Sequence, residues 1–214
     1  VVITPVGDSL TLHCLDAQPW NVATGQGGYC AGLAAILDGT PVAGNYTFAT
    51  IGSAFSGTTC AYWAGRIHDV LVANDPGDPT KSWVVIVNCG TNDHEESGNT
   101  TTFEANWRSI MDQIRAYRPA NPIKAVGTFI RYSNEDIDLA TPSRTWEITS
   151  QPNVNDAIYR NRTHADMLVD LQPVPPSLGL YTIGCTTLLL TSCDGTHPTP
   201  LGYERTAELV YRSI

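Results

Sequence analysis

Short apolar runs alternate with segments of helical period along the whole chain. Val1–Val6 predicts a first strand, Tyr46–Ile51 a second, Trp83–Cys89 a third, Ile123–Ile130 a fourth and Met167–Leu171 a short fifth. The third run is almost continuously apolar, as expected of a strand covered on both faces. Helical spacing falls between the strands, over Gly27–Leu37, Thr59–Val72, Thr101–Tyr117 and Asn153–His164, and Thr199–Arg212 closes the chain. In Thr101–Tyr117, the residues Phe103, Trp107, Ile110, Met111 and Ile114 share one face, and Pro119 stops the helix. The order βαβαβαβαβα predicts a single α/β domain over residues 1–214, with a parallel sheet and right-handed crossovers. Two long irregular stretches, Arg131–Pro152 and Gln172–His197, interrupt the alternation, and long loops in a compact domain commonly carry function.

Composition narrows the partners. The 214 residues are 42% hydrophobic and 15% charged, enough apolar material for a globular core. A chain of this length buries roughly 70% of its unfolded surface without help from a metal. The net charge is −9, from 12 basic and 21 acidic residues. That sign argues against nucleic acid and against an anionic membrane surface as partners. No apolar run approaches bilayer-spanning length. The chain opens on Val1-Val2-Ile3 without a basic leader, which reads as a mature or trimmed chain. Six cysteines and three Asn-x-Ser/Thr sequons, at Asn45, Asn99 and Asn161, together point to an oxidising, secreted location and a glycoprotein. No Cys-x-x-Cys is present, so neither a zinc ribbon nor a thioredoxin-type site is suggested.

Open α/β sheets bind ligands beyond the carboxyl ends of their strands, at the switch point. The residues that follow the predicted strands are Gly7-Asp8-Ser9-Leu10, Gly52-Ser53 with Ser56-Gly57, and Gly90-Thr91-Asn92-Asp93. Asp194-Gly195-Thr196-His197 precedes the last helix. In the common order 2-1-3-4-5, strands one and three are neighbours, which sets Ser9 beside Asn92 with Gly57 flanking them. Such a cluster suits acyl transfer. Ser9 is a weak nucleophile that needs a base, His197 is the candidate base, and Asp194 is the carboxylate that orients it. The backbone N–H groups of Ser9 and Gly57 and the side-chain amide of Asn92 supply three candidate oxyanion donors.

These four blocks, in order and widely spaced, resemble those of the SGNH hydrolases, the GDSL esterase/lipase superfamily. The resemblance covers essentially the whole chain. It implies a three-layer αβα flavodoxin-like fold with a five-stranded parallel sheet. It also implies Ser9 as nucleophile, His197 as base, Asp194 as its orienter, and Ser9, Gly57 and Asn92 as the oxyanion hole. Pro5-Val6-Gly7-Asp8-Ser9 and Phe48-Ala49-Thr50-Ile51-Gly52-Ser53 further resemble the opening blocks of acetylxylan and related carbohydrate esterases. Those enzymes often carry a longer insert before the second-block glycine, which leaves Gly52 as an alternative to Gly57. The expected activity is hydrolysis of short acyl esters, acetyl above all, on a carbohydrate. The alternatives are a general short-chain carboxylesterase or lysophospholipase, and a non-catalytic carbohydrate-binding protein on the same fold.

The remaining motifs carry less. Asp93-His94-Glu95-Glu96 is a run of loop neighbours that rarely converge on one ion, so neither metal nor cofactor is expected. Trp63 and Trp146 are the candidates for a substrate cleft, whereas Trp83 and Trp107 fit core positions. Cys185 and Cys193, eight apart, are expected to close a small loop beside Asp194 and His197. Cys89 reads as a small core residue of the third strand. A monomer acting on an acylated small molecule or polysaccharide is expected.

Overall fold

The computed structural model describes residues 1–9, 11–12, 29–93, 100–128, 154–171 and 200–214. Five strands form one parallel sheet in the order β2-β1-β3-β4-β5. They are β1 (Val2–Gly7), β2 (Thr47–Phe48), β3 (Trp83–Asn88), β4 (Lys124–Thr128) and β5 (Met167–Val169). The helices are α1 (Tyr29–Asp38), α2 (Cys60–Ala64), α3 (Ile67–Asn74), α4 (Thr100–Tyr117), α5 (154–160) and α6 (Pro200–Ser213). β1 and β3 are buried along their whole length, as an apolar run without alternation requires. The predicted α/β class and strand order are those observed.

Each face of the sheet has its own core. On one side, Trp63, Ile67 and Leu71 of α2 and α3 pack with Trp107, Ile110, Met111 and Ile114 of α4 against Val85 and Val87. On the other, Tyr29, Cys30 and Leu33 of α1 pack with Tyr203, Ala207 and Val210 of α6 against Ile3, Ile86 and Val126. α1 and α6 approach closely at Gly32, where an added Cβ would lie 2.9 Å from the Cβ of Ala207.

Three elements depart from the bounds that their apolar pattern predicts. The predicted strand Tyr46–Ile51 pairs with β1 only at Thr47 and Phe48. Alternate residues of β1 face β2, with Ala49 N–H donating to Ile3 O at 2.9 Å and Gly7 N–H to Ser53 O at 3.0 Å. The residue between them on that side is Pro5, which has no N–H to give, so the ladder breaks there. Asn74 takes over. Its side chain accepts from Ile51 N–H at 2.8 Å and donates to Ile51 O at 2.9 Å. The predicted helix Thr59–Val72 is split into α2 and α3 by Gly65 and Arg66, the latter at φ −127. Gly65 is the weak helix former in that run. The third strand also ends one residue early, at Asn88, with Cys89 beyond it.

At the helix periphery, Glu104 of α4 accepts from Arg160 and, at 3.1 Å, from the Asn161 amide. The Arg160 hydrogen bond is the main reason the Glu104 carboxyl is held below its ordinary range. Arg118 pairs with Asp75, whose carboxyl is also lowered: burial works against ionisation there, and the Gly77 N–H and Arg118 outweigh it. A carboxyl depressed in the folded state stabilises above its unfolded pKa, and that contribution is lost as pH falls through the folded value. The melting temperature is therefore expected to decline below about pH 4.3. Glu104→Gln should lower it at neutral pH and flatten part of the acid decline, read by thermal denaturation across pH 3–7.

Candidate active site

β1 and β3 pair in register from Val2 opposite Trp83 to Gly7 opposite Asn88, so both leave the sheet at one level. Beyond Gly7 the chain turns at once. Asp8 O accepts from Thr11 N–H at 3.0 Å and from Leu12 N–H at 2.9 Å, forming a single turn that holds Ser9 half-buried at the sheet edge. Beyond Asn88, Gly90 adopts φ +129 and the chain turns through Asn92, also half-buried. The third contributor is the loop after β2. Phe55 N–H donates to Gly7 O at 3.1 Å, and Ala54 bridges Gly7, which brings Gly57 to the same edge.

Asn92 joins these segments. Its side-chain NH2 donates to the Asp8 carboxylate at 3.2 Å and to Thr58 O at 3.1 Å. Both neighbours are acceptors, which orients the amide with its nitrogen inward. Asp8 precedes Ser9 and Thr58 follows Gly57, so one amide ties together the three predicted oxyanion donors. Gly57 is exposed at φ +72, a left-handed conformation that suits glycine. Gly52 shares that conformation at φ +61, but its neighbour Ser53 bonds to Gly7 rather than to Asn92.

The loop is fastened from below. Trp63 Nε1 donates to Thr58 Oγ1 at 3.0 Å, and Thr58 Oγ1 donates to Phe55 O at 2.8 Å. Trp63 is 0% exposed. It is therefore not a cleft wall, as the sequence suggested, but a core residue whose indole N–H supports the loop. The exposed aromatic on this loop is Phe55, 42% exposed and stacked on Trp63 with ring centroids 6.0 Å apart. Sequence reasoning passed over Phe55, although an apolar residue in the polar Ser53–Gly57 turn was a readable signal. Tyr29 lies buried on the other side of the turn. Burial is the main cause that pushes its phenol far above the ordinary range, with the Thr11 hydroxyl working against it and the Asp8 carboxylate with it. Tyr29 stays neutral and is no base.

A disulfide joins Cys60, at the start of α2, to Cys89 at the end of β3, with Cα atoms 5.3 Å apart. This corrects the reading of Cys89 as a plain core residue. In the chain-entropy model a loop of this span contributes about 3–4 kcal/mol. Cys30 is also disulfide-bonded. Asp93 adds a second link, accepting from Cys60 N–H at 2.9 and 3.2 Å. Asp194, His197, Trp146, Cys185 and Cys193 lie outside the described residues, as do both long irregular stretches. Among the described residues, no group of three His, Cys, Asp or Glu side chains is placed to hold a metal ion. No described helix is long and apolar enough to cross a membrane.

An open parallel sheet ordered β2-β1-β3-β4-β5, with polar turns meeting where β1 and β3 end, defines a flavodoxin-like α/β protein, a class in which ligands bind at that edge. The model of the GDSL-like lipase/acylhydrolase family matches residues 6–205, and the chain belongs to that family. It is a carboxylic ester hydrolase. Solved structures of like fold include a Parabacteroides merdae protein assigned as a GDSL-like lipase, with a TM-score of 0.70, 18% identity and coverage of 97% of this chain and 92% of that one. The W215I form of Axe2, an acetyl xylan esterase from Geobacillus stearothermophilus, gives a TM-score of 0.65 at 19% identity over 99% of this chain and 93% of that one. A family 3 carbohydrate esterase from Clostridium thermocellum gives 0.61 at 17% identity over 100% and 94%. At these identities the likeness establishes the fold. No curated protein sequence matches the chain.

Gly7 marks how tightly the edge is packed. A Cβ there would collide with the carbonyl of Asn88 and the hydroxyl of Thr11. Gly7→Ala must push β1 away from β3, at an overpacking cost of about 1–3 kcal/mol or more. A lowered urea midpoint together with lost esterase activity is the expected result.

Proposed function

We propose that the protein is a secreted serine esterase that removes short acyl groups, acetyl above all, from a carbohydrate. The observation that carries the reading is the Asn92 amide, held between the residue before Ser9 and the residue after Gly57. In this reading, Ser9 Oγ attacks the acyl carbon while His197, oriented by Asp194, takes its proton. The carbonyl π electrons move onto oxygen, and the oxyanion is met by the N–H groups of Ser9 and Gly57 and by the Asn92 amide. Collapse expels the sugar hydroxyl, which recovers the proton from His197. Water then attacks the acyl-enzyme by the same route, releasing the acid and restoring Ser9.

The exposed ring of Phe55, beside Gly57, supports a carbohydrate leaving group, because a flat apolar surface suits the C–H face of a pyranose. The names of Axe2 and of the family 3 carbohydrate esterase lean the same way. The Cys60–Cys89 disulfide and the bonded state of Cys30 support an oxidising compartment. Of the sequon asparagines, Asn45 is exposed, whereas Asn161 is buried with its amide donating to Glu104 and to Ala157 O. Asn45 is thus the better placed for a glycan.

Ser9→Ala should abolish turnover with the fold intact, and a serine-reactive phosphonate should label Ser9 alone; full activity in that variant would sink the mechanism. Asn92→Ala should lower kcat by roughly 10²–10³ with KM little changed, since one oxyanion donor is worth about 2.7–4 kcal/mol in the transition state. A variant that lost substrate affinity alone would make Asn92 a binding residue instead. On acidification, kcat/KM should fall as His197 protonates, and a flat profile from about pH 5 to 8 would count against it. A panel of 4-nitrophenyl esters of rising chain length, followed by acetylated xylan, should show preference for acetyl and release of acetate from the polymer.

A further inference from the structure

The loops that carry Gly57 and Asn92 both lie outside the sheet. The β1–β3 ladder ends at Gly7 and Asn88, and the β1–β2 ladder ends at Phe48. Strand pairing reaches both segments only at Gly7, which bridges Ala54 on one side and pairs with Asn88 on the other. Beyond it, the Cys89–Asp93 turn meets the 53–59 loop through side chains, the Asn92 amide on Thr58 O among them. What spans them is a set of short cross-links. Cys60 stands three residues after Gly57, and Cys89 three residues before Asn92, and the disulfide joins the two. Asp93 takes the Cys60 N–H with both carboxylate oxygens. Both cysteines are fully buried, so the bridge works within packed core rather than over a surface.

We propose that the Cys60–Cys89 disulfide and the Cys60–Asp93 hydrogen bonds form a clamp that sets the separation of the Gly57 N–H from the Asn92 amide, and through it the rate of the chemical step. The proposal rests on the reading of Gly57 and Asn92 as oxyanion donors. Donors must lie about 2.7–3.1 Å from the developing oxyanion, and a misplacement of about 1 Å can cost roughly 100-fold in rate. The loss falls on kcat, because the donors act on charge that is absent from the bound ester. A bridge that served stability alone would lower the melting temperature and leave kcat unchanged wherever the protein is folded.

The test is Cys60→Ala with Cys89→Ala, assayed with 4-nitrophenyl acetate well below the variant's melting temperature after circular dichroism has confirmed the fold. The clamp predicts a fall in kcat of roughly 10-fold or more with KM within about twofold. It also predicts that Asn92→Ala costs clearly less in this background than in the wild type, because the amide is already out of place. Wild-type kcat together with an undiminished Asn92→Ala effect would overturn it. Should the double variant not fold, Asp93→Ala with the disulfide intact decides: a lower kcat at constant KM supports the clamp, and an unchanged kcat overturns it. Asn92→Ala in the wild type keeps the two levels apart. If that substitution leaves kcat untouched, the oxyanion reading fails and the clamp with it; if it lowers kcat while the clamp variants do not, the clamp alone fails.

Discussion

The register of β1 against β3, which sets Gly7 opposite Asn88, is the constraint on which the rest of the site depends. Both strands are covered on both faces, so neither can slide without exposing a run of buried apolar side chains. With the ends level, two residues on one strand and four on the other bring Ser9 and Asn92 to the same edge. Gly7 is the point of closest approach, where the next strand's carbonyl leaves no room for a side chain. The catalytic-type residues are thus held by pairing well inside the core, and the turns they occupy are short.

The third segment reaches that edge for a different reason. Pro5 ends the pairing of β2 after two residues, and the freed chain from Ala49 onward folds over the end of β1. Where β1 does not reach it, its backbone groups are satisfied by side chains: Asn74 at Ile51, Thr58 at Phe55 and Asn92 at Thr58. Each of these polar groups is buried or half-buried, where an unpaired partner costs about 1–3 kcal/mol. The loop is thus held to the end of β1 by one bridge and by buried side chains. Trp63 completes it from the core side, giving its indole N–H to Thr58 and its face to Phe55.

The electrostatics follow from the same packing. Asp8 is fully buried directly before Ser9, and the Asn92 amide is one of the groups that meets it. Tyr29, neutral and buried on the far side, adds no charge to the site. Asn92 answers a buried carboxylate and a backbone carbonyl with its two hydrogens, so in the proposed reaction one of these bonds is shared with or released to the oxyanion.

Much of this was legible in the residues. The alternation of apolar runs and helical periods specified an α/β sheet, because strand burial on both faces and one-sided helix burial leave distinct periods. Three of the four polar blocks marked the edge beyond the first three strands, since each breaks an apolar run with glycine and small polar residues. Pro5 was also present to be read, and it accounts for the short β2 that hydrophobicity alone overestimates. Other features had no local signal. Whether Trp63 lines a cleft or a core depends on α4 packing over it, not on its neighbours in sequence. The pairing of Cys60 with Cys89 spans 29 residues and is decided by where α2 begins relative to the end of β3. The bonds of Asn92 join residues 84 and 34 positions away, distances over which sequence spacing carries no geometry. The sequence by itself determined the kind of sheet and the residue types at its edge, because these follow from local period and turn chemistry. Which of those residues touch was decided only by the tertiary structure, because contact between separate strands depends on register and packing that no single segment contains.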